Sequence, residues 1–420
     1  MSVRQTRSGR TNFYLCIKEV SPMKFSRKIQ MCELSPVRKF NPIAAAAKAK
    51  GRTIYHLNIG QPDIKTPDTF YEAVRAFDAP VLEYAPAPGM PVLMKSISEY
   101  FGKLDIQVDP SEILITTGGG EALDMVMACI LDDEDELLVP EPFYANYNTF
   151  ARVTGGKIRP IPTSAEDGYR YADRALIESL INEHTRGIMI TNPGNPTGVV
   201  LTDEEMRMLV DIAKEHDLFL IGDEVYREYA YDRPARSLLE FTDAAENIVV
   251  LDSVSKRFSA CGARIGAIIT HNKEFISQAL KLCQGRLCSP TLEQVGAAAL
   301  YDAATPAYYA EIREEYQRRR DTVVEALNKI PGVKFHIPDG AFYLMITLPV
   351  DDTEKLQYFL LEEFEDNGDT VMYAPACGFY ADSSKGRNEI RIAYVKECGY
   401  LARAIELLGK GIEAYNAKNK

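Results

Sequence analysis

Residues 247–270 read NIVVLDSVSKRFSACGARIGAIIT, two apolar runs separated by a polar segment that contains Lys256. The runs that begin at Asn247 and Arg264 are short and rich in β-branched residues, as strands are. Their apolar residues stand at consecutive positions, which is typical of strands covered on both faces. This stretch therefore predicts two strands inside a layered α/β domain.

The same pattern recurs between residues 112 and 270. Counting the two runs above, the candidate strands begin at Glu112, Glu136, Lys157, Gly187, Leu218, Asn247 and Arg264. Helical stretches separate most of them, and in TDEEMRMLVDIAKEHD the residues Thr202 and Glu205 have capping-box spacing. Alternating strands and helices predict an α/β fold whose large domain is a mostly parallel, seven-stranded sheet between helices.

The sequence changes character towards the C-terminus, where a long charged helix, AEIREEYQRRRDTVVEALNKI, precedes shorter strand-like runs. This order predicts a smaller α+β domain at 302–420, after a large domain at 63–301. We expect the segment 25–62 to pack with the small domain.

Residues 1–24 are basic but lack the apolar core of a signal peptide. We expect a disordered extension or a start upstream of the natural one at Met23, with a transit peptide as the alternative.

Composition excludes several classes of function. The 420 residues are 46% hydrophobic and carry a formal net charge of -12, with acidic and basic residues interleaved. Such a chain has a large core and no basic face for nucleic acid, and it has no apolar run long enough to span a membrane. The eight cysteines and five histidines show no metal-ligand spacing, so we expect reduced thiols, no metal and a cytoplasmic location.

Polar residues and glycines follow the predicted strands at the edge where ligands bind in parallel sheets. In ITTGGGEAL, Gly118, Gly119 and Gly120 stand between a strand and a helix. The free N–H groups of such a turn can hold a phosphate, although an ordinary tight turn explains three glycines equally well. Neither G-x-G-x-x-G nor G-x-x-x-x-G-K-[ST] occurs, which disfavours nicotinamide and P-loop enzymes.

Two further strand ends carry unusual side chains. Asn195 lies in TNPGNPTG, while Asp223 and Tyr226 end the apolar run of IGDEVYREY. A carboxylate at the mouth of a buried strand is costly unless it is paired. A cofactor cation would pair it, and a lysine salt bridge or a helix cap is the alternative.

The segment SVSKRFSACGARIG places Lys256 directly after an apolar strand. Desolvation there can leave the amine neutral and nucleophilic, whereas a lysine that reaches solvent would have no such role. Ser253, Ser255 and Arg264 flank it and suit a phosphate.

From Phe25 onward the chain resembles the class I/II aminotransferases, the aspartate aminotransferase-like enzymes of fold type I that use pyridoxal 5'-phosphate (PLP). SVSKRFSACGARIG fits their lysine signature, and the motifs NIGQPD, YAPAPG, GGGEAL, PGNPTG, DEVY and RIAYV occur in family order. The resemblance implies a homodimer with shared active sites. It departs from the family in that Gly120 stands where a lysine is often found.

The resemblance also implies a role for each matching residue. Lys256 would hold PLP as a Schiff base and act as the general base, Asp223 would pair with the pyridine nitrogen, and Tyr226 and Asn195 would bind the phenolic oxygen. The other positions are Tyr144 on the ring; Gly119, Gly120, Ser253, Ser255, Arg264 and the partner's Tyr84 at the phosphate; and Gly60, Asn195 and Arg391 at the substrate.

The implied reaction is ping-pong transfer of an amino group to a 2-oxo acid such as 2-oxoglutarate. An aspartate-like donor is favoured, with Arg286 as a candidate for its second carboxylate and Arg38, Lys39 and Tyr144 as further lining residues. Arg286 could equally pair with an acid at the subunit interface. Aromatic or alanine donors, a PLP β-lyase or synthase, and a non-catalytic regulator on the same fold are the alternatives.

Overall fold

The computed structural model describes residues 23–419, so most of the predicted N-terminal extension lies outside the described residues. The strands of this range are β1 (Thr53–His56), β2 (Ile113–Thr116), β3 (Glu136–Pro140), β4 (Lys157–Ile161), β5 (Thr185–Thr191), β6 (Phe219–Asp223), β7 (Ile248–Ser253), β8 (Gly266–Ile269), β9 (Lys334–Phe335), β10 (Tyr343–Thr347), β11 (Asp369–Met372), β12 (Ala374–Pro375) and β13 (Glu389–Ala393).

The α-helices of the same range are α1 (Arg27–Gln30), α2 (Asn41–Ala49), α3 (Asp68–Ala76), α4 (Pro91–Gly102), α5 (Gly119–Ile130), α6 (Asn146–Thr154), α7 (Arg174–Leu180), α8 (Asp203–Glu215), α9 (Val254–Arg257), α10 (Lys273–Arg286), α11 (Thr291–Ala303), α12 (Pro306–Leu327), α13 (Thr353–Glu362) and α14 (Cys398–Lys418). At the start of α8, Thr202 accepts from the Glu205 N–H while Glu205 accepts from the Thr202 N–H. The capping box is therefore confirmed.

The large sheet has seven strands in the order β2-β8-β7-β6-β5-β3-β4. Its strands are parallel except β8, which runs antiparallel to both β2 and β7. Because the link from β7 to β8 contains only the one-turn helix α9 and a 3-10 turn, it reverses the chain instead of crossing over. The predicted mostly parallel, seven-stranded α/β architecture is confirmed.

Both faces of this sheet are buried, which explains the consecutive apolar residues of its strands. Along β5, Ile188 and Ile190 point into one apolar core, and Met189 points into the core on the opposite face. Helices cover both faces, so the edge where the strands end is the part of the sheet open to ligands.

The C-terminal part contains a four-stranded antiparallel sheet, β12-β13-β10-β9, packed with α12 and α14 around an apolar core. The segment that precedes the large sheet joins this part. Strand β1 pairs in parallel with β11, and Phe40 and Ile54 pack with Leu361 and Met372. The domain boundaries expected from the sequence, at 25–62, 63–301 and 302–420, remain predictions.

None of the helices in residues 23–419 is both long and apolar enough to cross a bilayer.

Candidate active site

The carboxyl ends of the central strands bring the predicted site residues to one edge of the sheet. Asp223 ends β6, where it stands in register with Thr191 of β5 and Leu251 of β7. Ser253 ends β7, and Lys256 follows it on the single turn of α9. Because these strands are parallel neighbours, their ends lie side by side despite their separation in the sequence.

Lys256 is half-buried and points towards the N-terminal segment. Its Nζ donates to the carbonyl oxygen of Gly60 at 2.8 Å. The hydroxyl of Tyr229 donates to the carbonyl of Lys256 at 2.5 Å, which holds the backbone of this short helix. A backbone carbonyl, and not a carboxylate, is thus the acceptor for the amine.

Asp223 is buried, and the loss of solvent is the main reason that its pKa rises to about 6. The hydroxyl of Tyr147 donates to its Oδ2 at 2.7 Å and acts against this rise, as does the N–H of Val225 at 3.5 Å. Tyr147 also contacts the hydroxyl of Thr191 at 2.7 Å. The carboxylate is held by these hydrogen bonds and forms no direct ion pair in residues 23–419, although the charge of Lys256 also acts against the rise in its pKa.

A chain of hydrogen bonds runs from Tyr226 to Arg391. The Nδ2 of Asn195 donates to the hydroxyl of Tyr226 at 3.4 Å, and that hydroxyl lies 3.0 Å from the hydroxyl of Tyr343. Arg391 donates from Nη1 to the Oδ1 of Asn195 at 3.3 Å and from Nη2 to the carbonyl of Asn58 at 2.7 Å. The structure therefore brings Asn195, Tyr226 and Arg391 together as the sequence predicted.

Arg391 is 4% exposed and lies against the rings of Tyr343 and Phe379, 4.6 and 4.8 Å from their centroids. Burial lowers the pKa of its guanidinium. Its Nε has no hydrogen-bond partner among the described residues, and none of their carboxylates pairs with it. A buried cation in this state is prepared to receive an anion from outside the chain.

The glycine turn lies at the start of α5. Gly118 has φ +79°, and no side chain caps the helix, so its first N–H groups are open to a ligand. A Cβ on Gly118 would come within 2.5 Å of the Nη2 of Arg264, so the guanidinium lies directly against the turn. This combination of a helix N-terminus and an arginine suits a phosphate dianion.

The two serines face the same turn. The hydroxyls of Ser253 and Ser255 lie 2.8 Å apart, and the Cβ of Ser253 would be 3.9 Å from a Cβ on Gly119. Gly120 follows as the second residue of α5. These contacts bring Ser253, Ser255 and Arg264 to the glycine turn, whereas Tyr84 lies elsewhere.

Tyr144 lies beside Tyr147, and their rings are 5.4 Å apart in an edge-to-face arrangement. The Nδ2 of Asn146 donates to its hydroxyl at 2.7 Å. Burial raises the pKa of Tyr144 to about 12. Tyr144 thus lies against Tyr147, the residue that donates to Asp223, and its contact with a cofactor ring stays a prediction.

Comparisons with known proteins agree with this arrangement. Residues 52–404 match the model of the family described as aminotransferase class I and II. The chain belongs to this family. It is 30% identical over 406 residues to an aspartate aminotransferase of Bacillus subtilis, covering 94% of this chain and 100% of the relative. An aromatic-amino-acid aminotransferase of Thermococcus litoralis is 31% identical, covering 92% of this chain and 98% of the relative.

Solved structures show the same fold. An aspartate aminotransferase variant from Thermus thermophilus superposes with a TM-score of 0.84 at 28% identity, covering 93% of this chain and all of that one. The predicted family, the fold type and the transaminase class of enzyme are confirmed. Members of this family generally depend on PLP.

Two predicted residues of this aminotransferase lie outside the cluster described above. Tyr84 is 79% exposed in the connection between α3 and α4. Arg286 ends α10 with its guanidinium already engaged: Nη1 donates to Glu121 at 2.6 Å and to Ser289 at 2.7 Å. Its Nη2 donates to the carbonyls of Ala87 and Ile115, each at 3.2 Å. This geometry favours the alternative that Arg286 pairs with an acid, which here belongs to its own chain.

Three residues of the site were missed by the sequence reasoning. Tyr147 supports Asp223, Tyr343 contacts Tyr226, and the carbonyl of Asn58 orients Arg391. Asn58 begins the NIGQPD motif quoted above, Tyr147 lies in the segment EPFYANY together with Tyr144, and Tyr343 lies in the strand-like run GAFYLMITLP. The signal was therefore present, but no local pattern says which polar residue of a motif points inward.

Proposed function

We propose that this aminotransferase binds PLP at Lys256 and uses it to transfer the amino group of an aspartate-like amino acid to a 2-oxo acid such as 2-oxoglutarate. One observation carries the proposal. Asp223 and Arg391 are buried charges of opposite sign, and neither forms a direct ion pair within residues 23–419. Because an unpaired buried charge is costly, such a site calls for a ligand with a cationic end and a substrate with a carboxylate.

The chemistry of the donor set fits PLP. Asp223 would pair with the protonated pyridine nitrogen, and Asn195 and Tyr226 would hydrogen-bond to the phenolic oxygen. Tyr144 would cover the ring, and Lys256 would form the covalent attachment. The phosphate would be held by Gly119, Gly120, Ser253, Ser255 and Arg264.

When bound, PLP supplies an electron sink for the electrons of the substrate Cα–H bond. Asp223 would maintain that property by remaining ionised, because a cation beside it would offset the burial that raises its pKa. The hydroxyl of Tyr147 donates to Oδ2 and keeps the carboxylate directed at the ligand. The burial of Asp223 and Tyr147 excludes water from this contact.

The substrate is oriented by Arg391, whose guanidinium would form a two-pronged pair with the α-carboxylate. Asn195 and the backbone of Gly60 complete this contact. The freed amine of Lys256 then takes the Cα proton at Nζ and returns a proton later in the same half-reaction. The first product leaves as a 2-oxo acid before the second substrate enters, which predicts ping-pong kinetics.

The preference for an aspartate-like donor is supported by the printed names of relatives, several of which are aspartate aminotransferases. The alternative of an aromatic donor is supported by the name of the Thermococcus litoralis relative. The engaged guanidinium of Arg286 gives no support to its assignment as the residue that selects between them.

The proposal includes a homodimer with shared active sites. Tyr84 is 79% exposed, and Val81 and Leu82 of the same connection are 64% and 59% exposed. An exposed apolar group of this kind is typical of a subunit interface. In such a dimer Tyr84 would reach the phosphate of the second subunit.

The covalent attachment provides the decisive experiment. Borohydride treatment of the PLP-loaded enzyme should fix the cofactor on the chain, and mass analysis of peptides should locate it at Lys256. Lys256→Ala should bind PLP without fixation and lose nearly all turnover. Lys329→Ala is the matched control, because the side chain of Lys329 is 70% exposed. Fixation at another lysine, or normal turnover of Lys256→Ala, would refute the proposal.

A further inference from the structure

Arg38 is a cation without a carboxylate partner in the described part of the chain. It lies in the connection between α1 and α2 and is exposed to solvent. Its neighbour Lys39 is different, since the ammonium of Lys39 pairs with Glu354. An isolated exposed arginine carries no argument by itself, so its position relative to the active site decides whether it has a role.

The backbone next to Arg38 is tied to the residues that orient Arg391. The Nη2 of Arg391 donates to the carbonyl of Asn58 at 2.7 Å, and the Nδ2 of Asn58 donates to the carbonyl of Val37 at 3.3 Å. Asn58 is completely buried, so the side chain that joins Val37 to Arg391 lies in the interior. Arg38 therefore begins from a backbone anchored to the α-carboxylate site.

Tyr144 relates the two arginines in a second way. Burial is the largest influence on its hydroxyl and raises the pKa to about 12, while the charges of both Arg391 and Arg38 act in the opposite direction. This influence of both charges on one hydroxyl agrees with the connection through Asn58, which brings the backbone next to Arg38 towards Arg391.

The other cations considered for a second carboxylate are already occupied. Lys39 pairs with Glu354, and Arg286 is held by Glu121, Ser289 and two backbone carbonyls. Recruiting either one would require breaking an existing ion pair. Arg38 can turn towards a substrate without that loss.

We propose that Arg38 is the specificity-determining residue of this site and binds the second carboxylate of a dicarboxylic amino acid while Arg391 binds the α-carboxylate. This inference rests on the proposed transaminase function and names the class of its substrate. Because Arg38 is exposed, it can also swing into solvent when the substrate side chain is neutral. The site therefore prefers dicarboxylates without excluding aromatic or alanine-type donors.

The test compares Arg38→Ala, Arg38→Glu and the neighbouring control Lys39→Ala in the PLP-loaded enzyme. In Arg38→Ala, kcat/KM for aspartate and glutamate should fall by about 10- to 100-fold, the range for losing one charge-assisted contact. The values for alanine and phenylalanine should stay nearly constant. Arg38→Glu should lose more for dicarboxylates because it adds repulsion, and Lys39→Ala should show no dicarboxylate-specific loss.

A binding measurement separates this inference from the proposed reaction. Calorimetry should show that the enzyme binds succinate more tightly than butyrate, which has the same chain length but one carboxylate, and that Arg38→Ala removes this difference. Succinate binding does not require turnover, so absence of transamination would refute the proposed function alone. Equal loss for all donors, an unchanged succinate preference in Arg38→Ala, or the same selective loss in Lys39→Ala would overturn the role of Arg38.

Discussion

Asp223 should destabilise the cofactor-free enzyme, because its carboxylate is buried without a direct ion pair. Its pKa rises from the ordinary value of 3.8 to about 6. The unfolded chain therefore releases this proton at lower pH than the folded one, and folding stability declines as pH rises from 4 towards 6. Above that range the cost is constant, at about 3 kcal/mol for two pKa units.

The substitution Asp223→Asn removes this titration while keeping the shape of the side chain and an acceptor for Tyr147. Between pH 5 and pH 8 the wild-type apoenzyme should lose about 1.4 kcal/mol of unfolding free energy relative to the variant. This amount corresponds to the roughly one pH unit that separates pH 5 from the pKa of Asp223 in the folded chain. The variant should thus be the more stable apoprotein at pH 8. It should also bind PLP more weakly, because the charge that pairs with the pyridine nitrogen is gone.

The assay is urea unfolding of both apoproteins at pH 5 and pH 8, at one protein concentration so that any subunit association cancels. Asp302→Asn, an exposed position on α11, is the control and should follow the wild type. Parallel pH profiles for the wild type and Asp223→Asn would refute the reasoning. Such a result would mean that the carboxylate is already compensated within the folded chain.

Two further predictions concern the substrate and the dimer. Arg391→Lys should lower kcat/KM for every amino donor by about 30-fold or more, since an ammonium cannot form the two-pronged pair. The absorbance spectrum of bound PLP should be unchanged. An equal loss of PLP binding would show that Arg391 has a structural role instead. Mixing Tyr84→Phe subunits with Lys256→Ala subunits should yield heterodimers in which one site is free of both changes. That site should be detected as one tightly bound PLP per dimer that borohydride can fix. Heterodimers without any such site would place Tyr84 in the active site of its own subunit.

Local patterns in the sequence were sufficient for most of the architecture. The seven apolar runs from Glu112 to Thr270 became the seven strands of the large sheet, with ends within a few residues of those expected. Consecutive apolar residues report burial on both faces, and the Thr202–Glu205 capping box is a contact within one helical turn. Signals of this kind depend on neighbours in the chain, so they can be read without knowing the fold.

The candidate site could be predicted from the sequence because each of its motifs lies at the end of a strand. Lys256, Asp223 and Asn195 were singled out individually, and the topology of a parallel sheet is what makes their meeting predictable. The partners of each side chain were not predictable in this way. Arg391 donates to Asn195, which is 196 residues away in the sequence, and Tyr226 contacts Tyr343 across 117 residues.

Composition and periodicity thus determined the fold class, and the resemblance of the ordered motifs to a known family supplied the enzyme family and the roles of the candidate residues. Only the tertiary structure decided that Tyr147 supports Asp223, that Arg286 is held by Glu121 and that Arg38 has no acid partner in the described chain. The physical reason is that a charged side chain takes its role from the groups around it. Those groups come from distant segments, and packing alone chooses which of them meet.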